Sequence, residues 1–317
     1  MRKLVLFIYC AFPTFFYAQV SQYTPKVTLA IETYAFLKGQ SSALQTVARQ
    51  FPELQSNVAS AEKSADALFG RAERNIERFL KEELEHSEFQ KLKYNLNSLI
   101  NKQFKYPIEK KKHAVDFLEK VKDRPNYISD TLLWKGIISF AYHDAPHQEI
   151  TDGHIKVFTS KNHPKAPKTT LKLSLPKSWL AEEAEMPETI QQFTSHYGKG
   201  NEKFLIVIYN LPEENDIILD KKSVLEMIPP ATNVKRIENA TIDGSPGIMI
   251  EVEETINSAH NKMKVRMLQF MIVQNRKLYC LQGSIGPVDV SQNLDLKIKK
   301  YEPLFRTIAA KTQIDNY

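Results

Sequence analysis

Residues 169–211 read TTLKLSLPKSWLAEEAEMPETIQQFTSHYGKGNEKFLIVIYNL, and the fold of the C-terminal half turns on them. Leu171, Leu173 and Leu175 alternate with Lys172 and Ser174, the period of a half-buried strand. Pro176 ends that strand, because it has no N–H to offer a ladder. Trp179 follows the turn as a large apolar anchor for the corner. Further on, Pro187 opens a stretch with Ile190 and Phe193 three apart, closed by Gly198-Lys-Gly200, and that spacing predicts a helix. Phe204 to Tyr209 then reads as a second, more apolar strand.

The rest of the C-terminal half continues in the same style. Leu219-Asp220 begins a helix through Val224, Leu225 and Ile228 that Pro229-Pro230 stops. Asn233 to Ile242, Ile248 to Ile256, Met263 to Val273 and Lys277 to Ile285 are strands. They are joined by Asp243-Gly244-Ser245-Pro246-Gly247, by Asn257–Asn261 and by Gln274-Asn275-Arg276, and connections this short demand antiparallel neighbours. Asp289 or Ser291 can cap a closing helix from about Leu296 to Lys311, with Leu304, Phe305, Ile308 and Ala309 laid on the sheet.

This order, together with Leu173-Ser-Leu-Pro-Lys-Ser-Trp179, the long hairpin Met263–Ile285 and Tyr301-Glu-Pro-Leu-Phe-Arg-Thr-Ile308, resembles the PsbP-like group. That fold is shared by an extrinsic photosystem II protein, a Ran-binding nuclear import factor and bacterial envelope proteins of the DcrB and LpqN kind. The resemblance covers the C-terminal half alone. It implies an antiparallel sheet packed between helices and no shared enzyme chemistry, its better-known members binding or stabilising partners. It implies no functional site residue by residue, since fold does not carry function.

Working outward, residues 24–145 are helical in period. Leu54, Val58, Ala61, Ala65, Leu68, Ala72, Ile76 and Phe79 mark one face of a long helix from Leu54 to Leu84, with Pro52 in its first turn and Gly70 as a weak point. Thr28–Leu37, Ser41–Phe51, Phe89–Phe104, Pro107–Val121 and a Ser129- or Asp130-capped Thr131–Tyr142 are the other helices, with a break near Gly39. The expected fold class is α+β: an N-terminal antiparallel α-helical bundle over 19–145, a linker over 146–168 holding one strand at Ile155–Phe158, and an α/β/α sandwich with an antiparallel meander sheet over 169–317.

Residues 1–18 read as a signal peptide. Arg2 and Lys3 form the charged start, Leu4–Tyr17 is an apolar run too short to span a bilayer comfortably, and Ala18 before Gln19 offers the cut. Phe16 before that cut and Pro13 within the run keep an uncleaved anchor open as an alternative. The expectation is a periplasmic or extracellular bacterial protein, with no transmembrane span in the mature chain. Of two cysteines, Cys10 leaves with the signal and Cys280 sits in an alternating strand as a small core residue.

The net charge of +6 falls to +4 without Arg2 and Lys3, spread over a mixed surface. The densest basic run, Lys110-Lys111-Lys112-His113, reads as a solvated helix start, so nucleic acid is not the expected partner. There is no GxSxG, P-loop, GxGxxG, CxxC or HExxH. Glu182, Glu183, Glu185 and Glu188 crowd the approach to a helix, where negative charge suits the N-terminus, and His196 beside Tyr197 suits its end. His260 reads as a loop residue. The functional expectation is thus an exported non-enzymatic binding or assembly protein of the envelope, its partner an envelope protein or a small apolar ligand, with no catalytic, cofactor or metal residue assigned. The alternative is a metal-binding protein or metal-dependent hydrolase using His143, His147, His154 and His163, with Asp144 or Glu149 nearby, although Pro146 argues against one helix carrying the first two.

Overall fold

The computed structural model describes residues 23–126, 131–166, 169–184, 188–211, 219–229, 232–257 and 262–316. Residues 1–18, read from sequence as a signal, with Cys10, the expected caps Ser129 and Asp130, and Glu185, Pro187, Pro230 and His260 lie outside the described residues. The protein is α+β: helices first, antiparallel sheets after. Two compact units divide it, residues 1–128 and 129–317, so the helix from Leu132, read from sequence as the bundle's last, belongs with the sheets.

Among its described residues the first unit has the α-helices α1 (Pro25–Gln50), α2 (Gln55–Ala65), α3 (Arg71–Glu83), α4 (His86–Gln103) and α5 (Lys111–Asp123). The expected break at Gly39 does not occur: α1 runs through it, capped by the Thr24 hydroxyl, which accepts from the Val27 amide. A mid-helix glycine costs only about 1 kcal/mol. The faces on either side, Ile31, Tyr34 and Leu37 before and Leu44 and Val47 after, bury together and outweigh that cost. The expected helix 54–84 is present with its weak point where Gly70 stands, as a π turn over Asp66–Gly70 between α2 and α3. Such a turn shifts the helix face by one residue, and the apolar face carries on from Leu68 to Ala72 and Ile76.

In the second unit come α6 (Leu132–Ala141), α7 (His147–Thr151), β1 (Ile155–Thr159), β2 (Thr169–Pro176), β3 (Leu180–Glu182), β4 (Thr189–Thr194) and β5 (Glu202–Asn210). They are followed by α8 (Lys221–Met227), β6 (Asn233–Ile242), β7 (Ser245–Asn257), β8 (Lys262–Gln274), β9 (Lys277–Asp289), α9 (Asp295–Ala310) and β10 (Gln313–Asn316). The meander is as the short turns require, each hairpin pairing antiparallel, in a seven-stranded sheet ordered β3-β4-β5-β9-β8-β7-β6. The leucine strand β2 is not in that sheet. It is the middle of a three-stranded one, between β1 and the C-terminal β10.

Two readings need correction. The stretch opened by Pro187 is a strand, β4, not a helix. Its register slips between Thr189 and Gln191, and this bulge lets Ile190 and Phe193 both face the core at the spacing of a helix. The residues read as a linker do hold the expected strand, as β1, but they also carry α7, and Glu149, Ile150, Ser160 and Ala166 are buried there.

The core lies on both faces of the large sheet. On one face Phe204, Ile206, Leu268, Phe270, Tyr279 and Leu281 meet Leu304, Phe305 and Ile308 of α9 and the leucines of β2. Each such leucine, fully buried, contributes about 2 kcal/mol. Gly283 lets α9 approach: a Cβ there would stand 2.3 Å from the Phe305 ring. On the other face Val207, Ile248, Ile250, Val252, Met267, Met271, Leu278 and Cys280 form a second cluster with Val224 of α8.

Candidate functional site

The corner Pro176–Trp179 gathers polar groups that are nearly all buried. Trp179 donates its amide to Pro176 O at 3.1 Å, and its ring meets Phe305 edge-on with centroids 6.5 Å apart. The residues between are gripped by four partners. The Lys177 amide donates to His154 O at 2.9 Å, and the Tyr197 amide donates to Ser178 O at 2.8 Å. Lys135 of α6, itself buried, donates from Nζ to Lys177 O at 2.8 Å.

The fourth grip is Glu149. Pro146 begins α7, and its helix places this carboxylate against the corner. Glu149 accepts from the Ser178 amide on Oε1 and from the Ser178 hydroxyl on Oε2, both at 2.7 Å. It is 2% exposed, and that burial pushes its carboxyl up to about 7; the bonds from Ser178 and the charge of Lys135 oppose the rise without cancelling it.

Beyond the corner the chain leaves β4 through a left-handed turn. His196 (φ 50°, ψ 40°) and Tyr197 (φ 53°, ψ 48°) both adopt a conformation that side chains with a Cβ rarely take. Such strain costs of order 1–3 kcal/mol per residue and needs surrounding contacts to hold it. These are present. The Ser195 hydroxyl donates to Glu202 Oε2 at 2.5 Å, His196 Nδ1 lies 3.1 Å from Ser195 Oγ, and the His196 ring meets Phe140 edge-on at 5.2 Å. Gly200 closes over them, where a Cβ would fall 1.8 Å from Ser195 Oγ. Tyr301 of α9 completes the cluster. Burial, with Glu202 as its hydrogen-bond partner and Glu149 nearby, drives its phenol well above the usual range, so it stays protonated. Serine, histidine and glutamate in one buried group have the composition of a nucleophilic site. Here the serine proton points to the carboxylate, and all three residues are buried.

The histidines proposed for a metal disperse. His143 lies beside Phe140 and His196, with ring centroids 6.0 and 6.1 Å away, while His154 packs on Tyr142 at 5.6 Å. His163 Nδ1 accepts from the Lys165 amide at 3.3 Å. Pro146 separates His143 from α7, which carries His147 and Glu149. Among the described residues no group of three or more His, Cys, Asp or Glu is gathered to hold a metal ion, which overturns the metal reading. Glu182 lies in β3 rather than at a helix start, its carboxylate taking bonds from Thr194 and Gln192. His196 does not end a helix. Cys280 is buried, and that burial pushes its thiol up to about 12, an inert core group as expected.

Sequence reasoning missed the cluster for one reason. Its members, Lys135, Glu149, Ser178, Ser195, Glu202 and Tyr301, come from six places in the chain with no shared spacing. The available signal was the scarce glycine: Gly198 and Gly200 bracket one turn, and with the histidine and tyrosine before them they mark an unusual backbone.

A second polar group lies between the meander and α9. Arg236 reaches Glu251 at 2.5 Å, Glu302 at 2.5 Å and Glu238 at 3.1 Å. Arg266 reaches Glu251 at 2.6 Å, Glu253 at 2.9 Å and Asp295 at 3.0 Å, and Arg306 joins Glu302 to Glu238 at 2.7 and 2.6 Å.

No protein-family model matches the chain, and no curated protein does. Among solved structures, one similar chain is LpqN, involved in cell envelope biogenesis of Mycobacterium tuberculosis. The likeness covers 54% of this chain and 96% of that one, at 18% identity and a TM-score of 0.30. A second is PA94 from Pseudomonas aeruginosa, a protein of unknown function, over 50% of this chain and 96% of that one, at 11% identity and a TM-score of 0.25. Scores this low are too weak for an argument from either. No helix among the described residues is long and apolar enough to cross a membrane.

Proposed function

We propose that this chain is an exported, non-enzymatic binding or assembly protein of the bacterial cell envelope, with a sheet unit of the PsbP-like kind that engages a protein partner. What carries the reading is the exposed side of α8, which lies on the second face of the large sheet. Ile248, Ile250, Val252, Met267, Met271 and Leu278 make it apolar, and α8, seven residues long, packs Val224 against it. That helix turns Leu225 and Met227 outward at 49% and 48% exposure, beside a fold whose other large apolar side chains are mostly buried. Methionine is unbranched and polarisable, so such a surface adapts to a partner's shape. Export rests on Arg2-Lys3, the apolar run and Ala18-Gln19. The burial of Ser195, His196, Glu202 and Glu149 supports a structural part for them in place of turnover.

The test is site-specific photocrosslinking from positions 225 and 227 in bacterial cells, with fractionation and N-terminal sequencing of the product. A discrete adduct with an envelope protein, on a chain beginning at Gln19, is the expected result. A chain that stays in the cytoplasm, or that crosslinks to nothing from either position, overturns the reading. A small-molecule adduct in native mass spectrometry without a protein crosslink replaces the protein partner by an apolar ligand.

A further inference from the structure

The corner cluster contains a carboxylate in an unusual position. Glu149 is fully buried, yet most of what faces it is neutral: the Ser178 amide and hydroxyl and the Lys177 amide from the corner, and the Tyr301 phenol from α9. The charged group that faces it is Lys135 of α6, and that ammonium is aimed at Lys177 O, 2.8 Å away, while it also lies over the Tyr197 ring at 5.9 Å. Glu202 is the hydrogen-bond partner of Tyr301, and the histidines of this region, His143, His154 and His196, are ring-packed on aromatic side chains. Removing an ionised carboxylate from water costs several kcal/mol unless it is fully paired. A protonated Glu149 avoids that cost and keeps both contacts: Oε1 still accepts the Ser178 amide, and the carboxyl proton goes to Ser178 Oγ, which accepts as readily as it donates.

We propose that Glu149 is a proton-operated latch between α7 and the Pro176–Trp179 corner, closed when the carboxyl carries its proton and loosened when it ionises. The latch fastens four elements at once, because the same corner residues hold Lys135 of α6, His154 after α7, and Tyr197 of the strained turn. Ionisation makes the carboxylate seek water, and the short α7 is the element free to yield, since it has one turn of helix and is anchored by Glu149 and Ile150.

The sign follows from linkage. The folded chain holds the proton to about 7 and the unfolded chain to the ordinary glutamate value of 4.5. This contribution to stability is therefore complete below the unfolded value and is lost as pH rises through the folded one. The folding equilibrium constant of the second unit should fall roughly tenfold from this group between pH 6 and pH 8. Histidines buried neutral act in the opposite direction, because they oppose folding as pH falls.

The experiment is urea unfolding of the full chain and amide hydrogen exchange at pH 6, 7 and 8, for wild type and Glu149→Gln. Glutamine keeps the acceptor for the Ser178 amide and removes the titration. The expected result is a wild type that loses stability across this range while E149Q stays flat. Protection factors in wild type should drop first over 147–151 and 176–179. Equal slopes in the two proteins overturn the latch, as does protection lost first elsewhere. Should E149Q not fold, carbon-13 titration of the Glu149 carboxyl in wild type decides alone, and an apparent pKa under 5.5 overturns it.

Discussion

The second unit carries two polar groups of opposite design. Between the meander and α9, three arginines meet five carboxylates, and each of Arg236 and Arg266 serves three. At the corner, carboxylates meet hydroxyls, amides, a phenol and one lysine. The same residue type behaves differently in the two places. Glu302 is pushed up by burial, but bonds from Arg236 and Arg306 outweigh this and hold it below its ordinary range. Glu149 has no guanidinium, and burial wins. A carboxylate's charge state therefore follows the balance of its burial against the full positive charges within bonding distance, and Glu302 is both less buried and better paired than Glu149. The arginine lattice is a fixed clamp at neutral pH, while the corner responds to protons.

The largest effect that would sharpen this contrast is on the corner's apolar base. Trp179 is 4% exposed and packs on Phe305, so Trp179→Ala should cost about 4 kcal/mol by the cavity it leaves. Urea unfolding measures it. A variant that melts like wild type but no longer captures the crosslinked partner would make the corner a binding surface rather than a foundation. Next comes the lattice. Arg266 is nearly buried, and Arg266→Met leaves Glu251 and Glu253 without one of their cations, a loss of about 3 kcal/mol. Arg266→Lys should fall between, because an ammonium cannot fork to three carboxylates. Equal stabilities of the lysine and arginine proteins would show that the fork geometry contributes nothing.

A third change tests whether the strained turn is held by its contacts. In Gly200→Ala the new methyl falls 1.8 Å from Ser195 Oγ and 2.9 Å from His196 Nδ1. Ser195 must then release Glu202, at a cost of about 2 kcal/mol from overpacking. Protection at the Tyr197 amide, bonded to Ser178 O, should fall with it. Unchanged protection there would mean that the backbone alone holds the left-handed pair.

How far the sequence discloses this architecture depends on whether a feature repeats at a fixed spacing. Leu171, Leu173 and Leu175 announce a strand, and the turns at Asp243-Gly244 and Asn275-Arg276, with positive φ at all four residues, announce hairpins. What those residues cannot announce is partnership, and β2 pairs with β1 and β10 from opposite sides in sequence. Ile190 and Phe193 mislead because a bulge reproduces helical spacing. Glu149 is the extreme case. In sequence it is one polar residue in a proline- and histidine-rich stretch, and only the long-range contact with Ser178, 29 residues on, makes it a buried group.

The smallest effect separates the two polar groups by the direction of their pH dependence. Glu302 is depressed in the folded chain, so its contribution is present above the unfolded value of 4.5 and disappears as pH falls through the lower folded one. Its pairs with Arg236 and Arg306 are partly open to solvent, which limits their contribution to about 1 kcal/mol. Glu302→Gln should therefore lose that amount at pH 6 and progressively less as pH falls below 4.5, where wild type loses it too. Added salt should shrink the difference at pH 6, since partly exposed charges are screened. Glu149→Gln should show the reverse pattern, matching wild type in acid and gaining on it above neutrality. Two glutamate-to-glutamine changes in one unit would then move stability in opposite directions, and a common direction for both would remove the distinction between clamp and latch.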